Sequence, residues 1–279
     1  MPDKPINLNA DLGEGFGPWR MGDDAAMLEI VTSANIACGG HAGDPDTMRH
    51  TVRLAQQRGV SIGAHPSYPD LQGFGRRAMA LSPAELESQI AFQIGALAGI
   101  AALEAARVTH VKPHGALNNL ACVDRSVADT ICRAMRAIDP ALILLAPAAS
   151  QLLVAGHAAG LEVVEEIFAD RAYLPDGQLV PRSRPDAMIH GPAACLAHVL
   201  AMLEAGALIA VDGTRIATPV GSICVHGDNP DAVGVARHLR QELAAGGYQL
   251  VPLPQMIGSP AGASLLAMQR PIASKLAPT

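Results

Sequence analysis

Aromatic side chains make up only 3% of the 279 residues and charged ones 16%, well short of the roughly 25% charge usual in soluble domains. With 49% hydrophobic residues and a mean hydropathy of +0.23, this excludes an intrinsically disordered chain, which needs low hydrophobicity and high net charge. No stretch reaches the roughly 18 uncharged apolar residues of a membrane span; the richest run, Ile94 to Leu103, stops at Glu104. A net charge of −6 and a pI near 5.9 argue against a nucleic-acid surface. The start, MPDKPINLNADLGEG, has no basic region followed by an apolar stretch, so no secretory signal is expected and the reading places the chain in the cytoplasm. Five cysteines (Cys38, Cys122, Cys132, Cys195, Cys224), an odd number without a CxxC pair, fit a reduced compartment rather than paired disulfides.

Lysine is equally rare. Lys4, Lys112 and Lys275 are the complete set, and Lys112 alone lies in the interior of the sequence. No Gly-Lys pair offers a Walker-type phosphate loop, and no GxGxxG follows the first strand. No HxxxH or HExxH pair lies on one helix face to commit two metal ligands in advance. There is no internal repeat.

What is present is alternation. Short apolar runs read as strands at Ile6–Asp11, Thr32–Cys38, Val60–Ala64, Val108–Lys112, Leu142–Ala146, Glu162–Phe168 and Ser222–His226, with a weaker one at Tyr248–Leu253. Ala- and Leu-rich helical stretches separate them at about Pro45–Arg58, Ser82–Ala106, Asp124–Ile138, Gln151–Ala159, Pro192–Glu204 and Pro230–Ala245. Ser82-Pro83-Ala84-Glu85 is a clean helix start, with Ser as cap, Pro in the first turn and Glu at the third position. Two long irregular segments, His65–Arg77 and Asp170–Pro185, exceed ordinary connections. Strands alternating with helices at this spacing imply parallel β/α units. Seven good strands and one weaker one suit a closed or nearly closed barrel, a single α/β domain over 1–253 with a peripheral C-terminal tail over 254–279.

The residues with chemical potential stand just after the strands: Asn9, Asp11 and Glu14 after the first, His41 after the second, and His65 after the third. Lys112 and His114 follow the fourth, Asp170 and Arg171 the sixth, and His226 and Asp228 the seventh. In a β/α barrel these ends share one face, so residues far apart in sequence converge there. Glycines beside many of them allow close backbone approach. His50, His110, His157, His198 and His238 read as structural, and His190 as a loop residue. Burial of Lys112 would depress its pKa or force a pairing, with a salt bridge to Asp11 compatible with function. Arg76 and Arg77 are either a clamp for a carboxylate or phosphate or solvated loop arginines. Cys38 and Cys224 read as small packing residues, and Asp70 as a turn residue. Asp11, His41 and His65 are the candidates for an oxygen/nitrogen metal site.

Several blocks together resemble the LamB/YcsF family: Asn7-Leu8-Asn9-Ala10-Asp11-Leu12-Gly13-Glu14-Gly15, the run Ser33 to Pro45 containing Cys38-Gly39-Gly40-His41, and Gly63-Ala64-His65-Pro66. To these add Gly73-Phe74-Gly75-Arg76-Arg77, Val111-Lys112-Pro113-His114-Gly115-Ala116-Leu117, Phe168-Ala169-Asp170-Arg171 and Cys224-Val225-His226-Gly227-Asp228. They run in order from about residue 6 to 245. The resemblance implies a distorted seven-stranded β/α barrel of the glycoside hydrolase/deacetylase superfamily. It also implies the activity of the A subunits of prokaryotic 5-oxoprolinase: ATP-dependent opening of 5-oxo-L-proline to L-glutamate with subunits B and C. The implied route phosphorylates the amide oxygen before water attacks, which calls for a base, donors for developing charge and cations for phosphoryl oxygens.

On that footing Asp11, His41, His65, Lys112 and His114 are expected to be catalytic. Asn9, Glu14, Arg76, Arg77, Asp170, Arg171, His226 and Asp228 are expected to bind substrate or phosphate, with ATP, Mg2+ and a further divalent metal as candidate cofactors. Two positions depart from the family pattern, Ala10 where Cys is usual and Asn118 where Tyr is usual; Ala10 argues against a cysteine nucleophile on the first strand. Two other classes of function compete: a stand-alone metal-dependent amidohydrolase or deacetylase, and a non-catalytic subunit that binds a small acid. Neither membrane nor nucleic acid is an expected partner. The high Ala content and low charge leave room for a homo-oligomer.

Overall fold

Alternation along the first strand, β1 (Lys4–Leu12), decides what fills the middle of the molecule. Ile6, Leu8, Ala10 and Leu12 join the main hydrophobic core, whereas Asn7, Asn9 and Asp11 between them hydrogen-bond to polar groups on other strands. Side chains on a strand change face at each residue, so from Ile6 onward one face of β1 is apolar and the other polar. The computed structural model describes residues 4–226 and 231–258.

After β1 come α1 (Asp24–Leu28), β2 (Ser33–Ala37), α2 (Pro45–Gln57), β3 (Ser61–His65), α3 (Pro83–Leu103), β4 (Val108–Val111), α4 (Gly115–Val123) and α5 (Arg125–Ile138). The chain continues through β5 (Ile143–Pro147), α6 (Gln151–Ala158), β6 (Val163–Phe168), α7 (Pro192–Ala205), β7 (Ala207–Ile209), β8 (Arg215–Ala217) and β9 (Ser222–Val225). It ends with α8 (Ala232–Ala245), β10 (Tyr248–Leu250) and α9 (Leu253–Gly258). Strands β1 through β6 pair in sequence order, all parallel, and β9 pairs with both β6 and β1 to close a seven-stranded barrel. The weak eighth strand is real: β10 lies parallel to Lys4–Ile6 outside that closure.

The usual filling of such a barrel is branched aliphatic. Here much of the interior is a hydrogen-bonded lattice. Asn7 Nδ2 donates to Ser33 Oγ (2.7 Å), Ser222 Oγ to Asn7 Oδ1 (2.7 Å), and Asn35 Nδ2 to Asn9 Oδ1 (2.8 Å). His110 packs in the same layer with Nε2 3.1 Å from Asn35 Oδ1, and burial pushes its pKa down to about 3, so it is a neutral structural residue as its place in an extended run implied. Gly63 makes room for it: a Cβ there would lie 2.2 Å from the His110 ring.

The end of the barrel that holds the strand starts is closed by a small apolar cluster of Ile143, Leu145, Val164 and Leu253, with Ile257 against it. Thus α9 packs on this end of the barrel, with Met256 buried as well; residues 259–279 lie outside the described part.

Outside the sheet, α3 carries the capping box read from Ser82 and Glu85. By length and composition α3 is the one helix among the described residues able to cross a membrane. In the fold it packs against α2 and α5, burying Leu86, Ile90, Ile94, Leu97 and Ala101. The sequence reading lacked α1, α4 and the antiparallel β7–β8 hairpin. α1 is capped by Asp23 but has only five residues, too few to show a period, and α4 starts at Gly115 with φ +56 behind a cap residue, His114, that makes no side-chain cap bond, so its ordinary start signals are missing. All five cysteines are free and buried, as the absence of paired spacing implied.

Candidate functional site

The strand ends open into a cavity of about 550 Å³ whose wall includes Asp11, His65, Arg76, Lys112, His114, Asn118, Phe168, Arg171, Arg182 and His226. At its floor the Lys112 ammonium donates to Asp11 Oδ1 (2.9 Å) and Cys224 Sγ (3.0 Å), and lies 3.5 Å from Glu166 Oε2. The ammonium also sits 5.4 Å from the centre of the Phe168 ring, a cation–π distance. Burial alone would neutralise both members of the pair. Against that cost, His65 and Lys112 hold the Asp11 carboxyl well below its usual range, and Asp11 leads the neighbours that hold Lys112 well above its own. Burial keeps Cys224 a neutral thiol.

Three histidines stand beside this pair. His65 Nδ1 donates to the Lys112 carbonyl (2.6 Å), and its Nε2 is 3.3 Å from Asp11 Oδ2 and 3.0 Å from His114 Nδ1. His114 Nε2 donates to the Phe74 carbonyl (2.9 Å). His41 stacks on His114 with centroids 3.7 Å apart and planes 4° from parallel, its Nε2 2.9 Å from Glu14 Oε1. Burial holds His41 and His114 well below the usual imidazole pKa. The turn carrying Phe74 requires left-handed backbone at both Phe74 (φ 52) and Gly75 (φ 62); a Cβ on Gly75 would come within 2.9 Å of both His41 and His114. Glu14, His41, His65 and His114 each offer one ligand atom, all within 4.8 Å of one another, a set that could hold a metal ion.

Across the cavity His226 Nδ1 lies 2.8 and 3.0 Å from the two Asp170 oxygens and its ring stacks on Phe168. Burial opposes protonation of His226, but Asp170 outweighs it and raises the pKa. The rim is cationic. Arg76, Arg171 and Arg182 line it, and burial followed by the charge of Arg182 pushes Arg171 down to about 10, an arrangement that a bound anion would relieve.

Asp11, His65, Arg76, Lys112, His114, Arg171 and His226 therefore meet at one cavity. His41, Glu14 and Asp170 stand behind its wall, each joined to the cluster by hydrogen bonding or stacking. Two expected binders do not reach it. Asn9 lies one pleat deeper, wholly buried and bonded to Ser222 and Asn35; Arg77 turns back to pair with Asp70, which also accepts from Gly73 N in the turn role expected of it. Asp228 falls outside the described residues. Sequence reasoning missed Arg182 and Glu166, and it gave Asn118 no binding role. Asn118 lines the cavity with Oδ1 buried and unpartnered among the described residues.

Glu166 is the interior member of the adjacent pair Glu165-Glu166 on β6; Glu165 instead accepts from Thr218. Burial raises the Glu166 carboxyl to about 7, with Lys112 partly opposing the rise. The folded state then keeps a proton that the unfolded chain releases, so stability falls as pH rises from about 4.5 to about 7, by up to about 3 kcal/mol at ~1.36 kcal/mol per unit. Glu166→Gln is expected to raise the melting temperature above pH 8 and to leave it nearly unchanged below about pH 4. A difference between variant and wild type that stays constant with pH would show that this carboxyl does not titrate in that window.

The LamB/YcsF family model matches residues 6–258. The chain belongs to the LamB/YcsF family. Among curated relatives of this family, the 5-oxoprolinase A subunit of Azoarcus sp. (strain BH72) is 59% identical over 251 residues, covering 90% of this chain and 98% of that protein. The protein of the same name from Methylococcus capsulatus is 58% identical over 90% of this chain and 96% of its own length. A solved relative, the lactam utilization protein from Thermus thermophilus, superposes with a TM-score of 0.84 at 42% identity, covering 89% of this chain and all of that one. The barrel is thus shared with that protein over nearly its whole length.

Proposed function

We propose that this chain is the A subunit of a 5-oxoprolinase, opening 5-oxo-L-proline to L-glutamate with ATP and Mg2+ and in company with subunits B and C. The observation that carries the reading is the cavity itself: a buried carboxylate–ammonium pair at the floor, imidazoles on both sides and three guanidiniums at the rim. The substrate has the matching parts, a carboxylate for the guanidiniums and a lactam for the floor. Relatives that this chain matches nearly end to end carry the name of that activity.

In this proposal Arg171 and Arg182 take the substrate carboxylate, with Arg76 left for phosphoryl oxygens. Lys112 faces the charge that grows on the lactam oxygen, where a fixed cation in a dry site acts most strongly. Asp11, held ionised, orients the attacking water and accepts its proton. His226, protonated by its pairing with Asp170, returns a proton to the departing ring nitrogen. Asn118 Oδ1 accepts from the lactam N–H, giving a buried acceptor its missing partner. No Walker-type loop is present, so a nucleotide held at the cavity by the arginines or by a partner transfers its phosphoryl group to the lactam oxygen and leaves as the diphosphate. Ring opening then yields an acyl phosphate, which a second water hydrolyses to glutamate and inorganic phosphate.

The test is glutamate release from 5-oxoproline with ATP by this chain alone, by the partner subunits alone, and by the full mixture. Glutamate from the full mixture only is expected. The cluster Glu14, His41, His65 and His114 favours a second reading, a metal-dependent amidohydrolase needing neither ATP nor partners, and amide hydrolysis by this chain alone would establish that reading instead.

A further inference from the structure

We propose that Glu14, His41, His65 and His114 bind one divalent transition-metal ion of the zinc class, a site separate from any Mg2+ that accompanies a nucleotide. The ring protons of two of these residues have forced positions. A carbonyl oxygen only accepts, so His65 carries its proton on Nδ1, against the Lys112 carbonyl, and His114 carries its own on Nε2, against the Phe74 carbonyl. A neutral imidazole has one N–H. The remaining nitrogens, His65 Nε2 and His114 Nδ1, therefore present two lone pairs to each other across 3.0 Å. That arrangement is repulsive unless something positive lies beside both.

Two further donors converge on the same point. Glu14 Oε1 is 3.6 Å from His114 Nδ1 and 2.9 Å from His41 Nε2. Ligand atoms about 2.0–2.1 Å from a tetrahedral zinc stand about 3.4 Å from one another, the range these separations straddle. The backbone acceptors behind His65 and His114 are what metal-bound imidazoles usually have, fixing tautomer and ring orientation. All four residues are buried, with exposures between 1% and 7%.

Three nitrogens and one carboxylate oxygen select a zinc-like ion over Mg2+, which prefers six oxygens and keeps its water. A second trio, Asp11, Cys224 and His226, also brings ligand atoms together, but the Lys112 ammonium lies 2.9 Å from Asp11 Oδ1 and 3.0 Å from Cys224 Sγ and takes the cation's place. The ion would fix the orientation of His65 and His114, both on the cavity wall, and place positive charge beside Asp11. The rival occupant is a proton, with His65 as an imidazolium shared between His114 and Asp11.

The test uses the untagged full chain, stripped with chelator and reloaded with Zn2+ or Co2+. Elemental analysis is expected to give about one equivalent per chain, and Co2+ the visible absorption of a four-coordinate nitrogen/oxygen site. Glu14→Gln and His114→Ala should each hold at least about tenfold less metal at equal free concentration, while Asp11→Asn keeps it. Should the variants not fold, X-ray absorption of the reloaded wild-type chain decides, three nitrogens and one oxygen near 2 Å being expected. Failure of the folded wild-type chain to retain metal, with histidine nitrogen shifts showing an imidazolium, overturns the proposal. So does metal that is bound through sulfur, or bound equally well by folded Glu14→Gln and His114→Ala.

Discussion

Lys112→Met is expected to reduce glutamate formation by the complete enzyme by a factor on the order of 10³ or more, because in the proposed reaction the floor of the cavity loses the cation that meets developing negative charge. Stability should fall as well. Lys112 and Asp11 are both buried, and removing one member of a buried pair costs about 3–5 kcal/mol because the other charge is stranded. The two effects separate in the double variant Asp11→Asn/Lys112→Met, which leaves no stranded charge. Its melting temperature should recover much of the loss while turnover stays absent. Recovery of turnover along with stability would mean that the pair is architectural and that the chemistry lies elsewhere.

The second large effect is expected at Asp170, which lies behind the cavity wall. Asp170 holds His226 through both carboxylate oxygens and raises its pKa; Asp170→Asn keeps the shape and removes the charge. The imidazolium of His226 is then lost at lower pH than in the wild type. Turnover at neutral pH should drop by on the order of 10²-fold or more, by analogy with carboxylates that orient catalytic histidines. The alkaline limb of the pH–rate profile should shift toward acid. A rate loss with an unmoved profile would assign Asp170 a packing role, and an unchanged rate would remove His226 from the proton path.

Much of this arrangement was legible because barrel strands advertise themselves twice, as short apolar runs and as the Gly- or Pro-flanked polar residues that end them. Asp11, His65, Lys112, His114 and His226 all stood out on that pattern, and closure of the barrel brings them to one cavity. Asn9 misled for an instructive reason. It shares the inward face of β1 with Asp11, but a rise of roughly 3.3 Å per residue puts it a layer deeper, among Ser222 and Asn35. Glu166 was hidden inside Glu165-Glu166, although on a strand only one of two neighbours can point inward, and that reasoning would have found it. Arg182 carried no local signal, since it reaches the cavity from an irregular segment. Arg76 and Arg77 were indistinguishable in sequence; only Asp70, holding Arg77 away from the cavity, tells them apart.

Pairing of Glu14 with His41 was equally opaque. The β2–α2 turn bonds Gly39 N to Ala42 O, and His41 meets Glu14 from the β1 loop. Nothing in the spacing of those two residues, 27 apart, announces the contact. The tautomer conflict between His65 and His114 likewise depends on two backbone carbonyls, Lys112 and Phe74, that no motif records.

In the proposed reaction the lactam is opened between the Asp11–Lys112 pair and the guanidinium rim. A crystal structure of the chain with 5-oxoproline puts that arrangement to the test. The expected complex has the ligand carboxylate on Arg171 and Arg182, the ring N–H toward Asn118, and the lactam carbonyl facing Lys112. Ligand bound outside this cavity, or an empty cavity in crystals of a chain that supports glutamate release at the same substrate concentration, would contradict it.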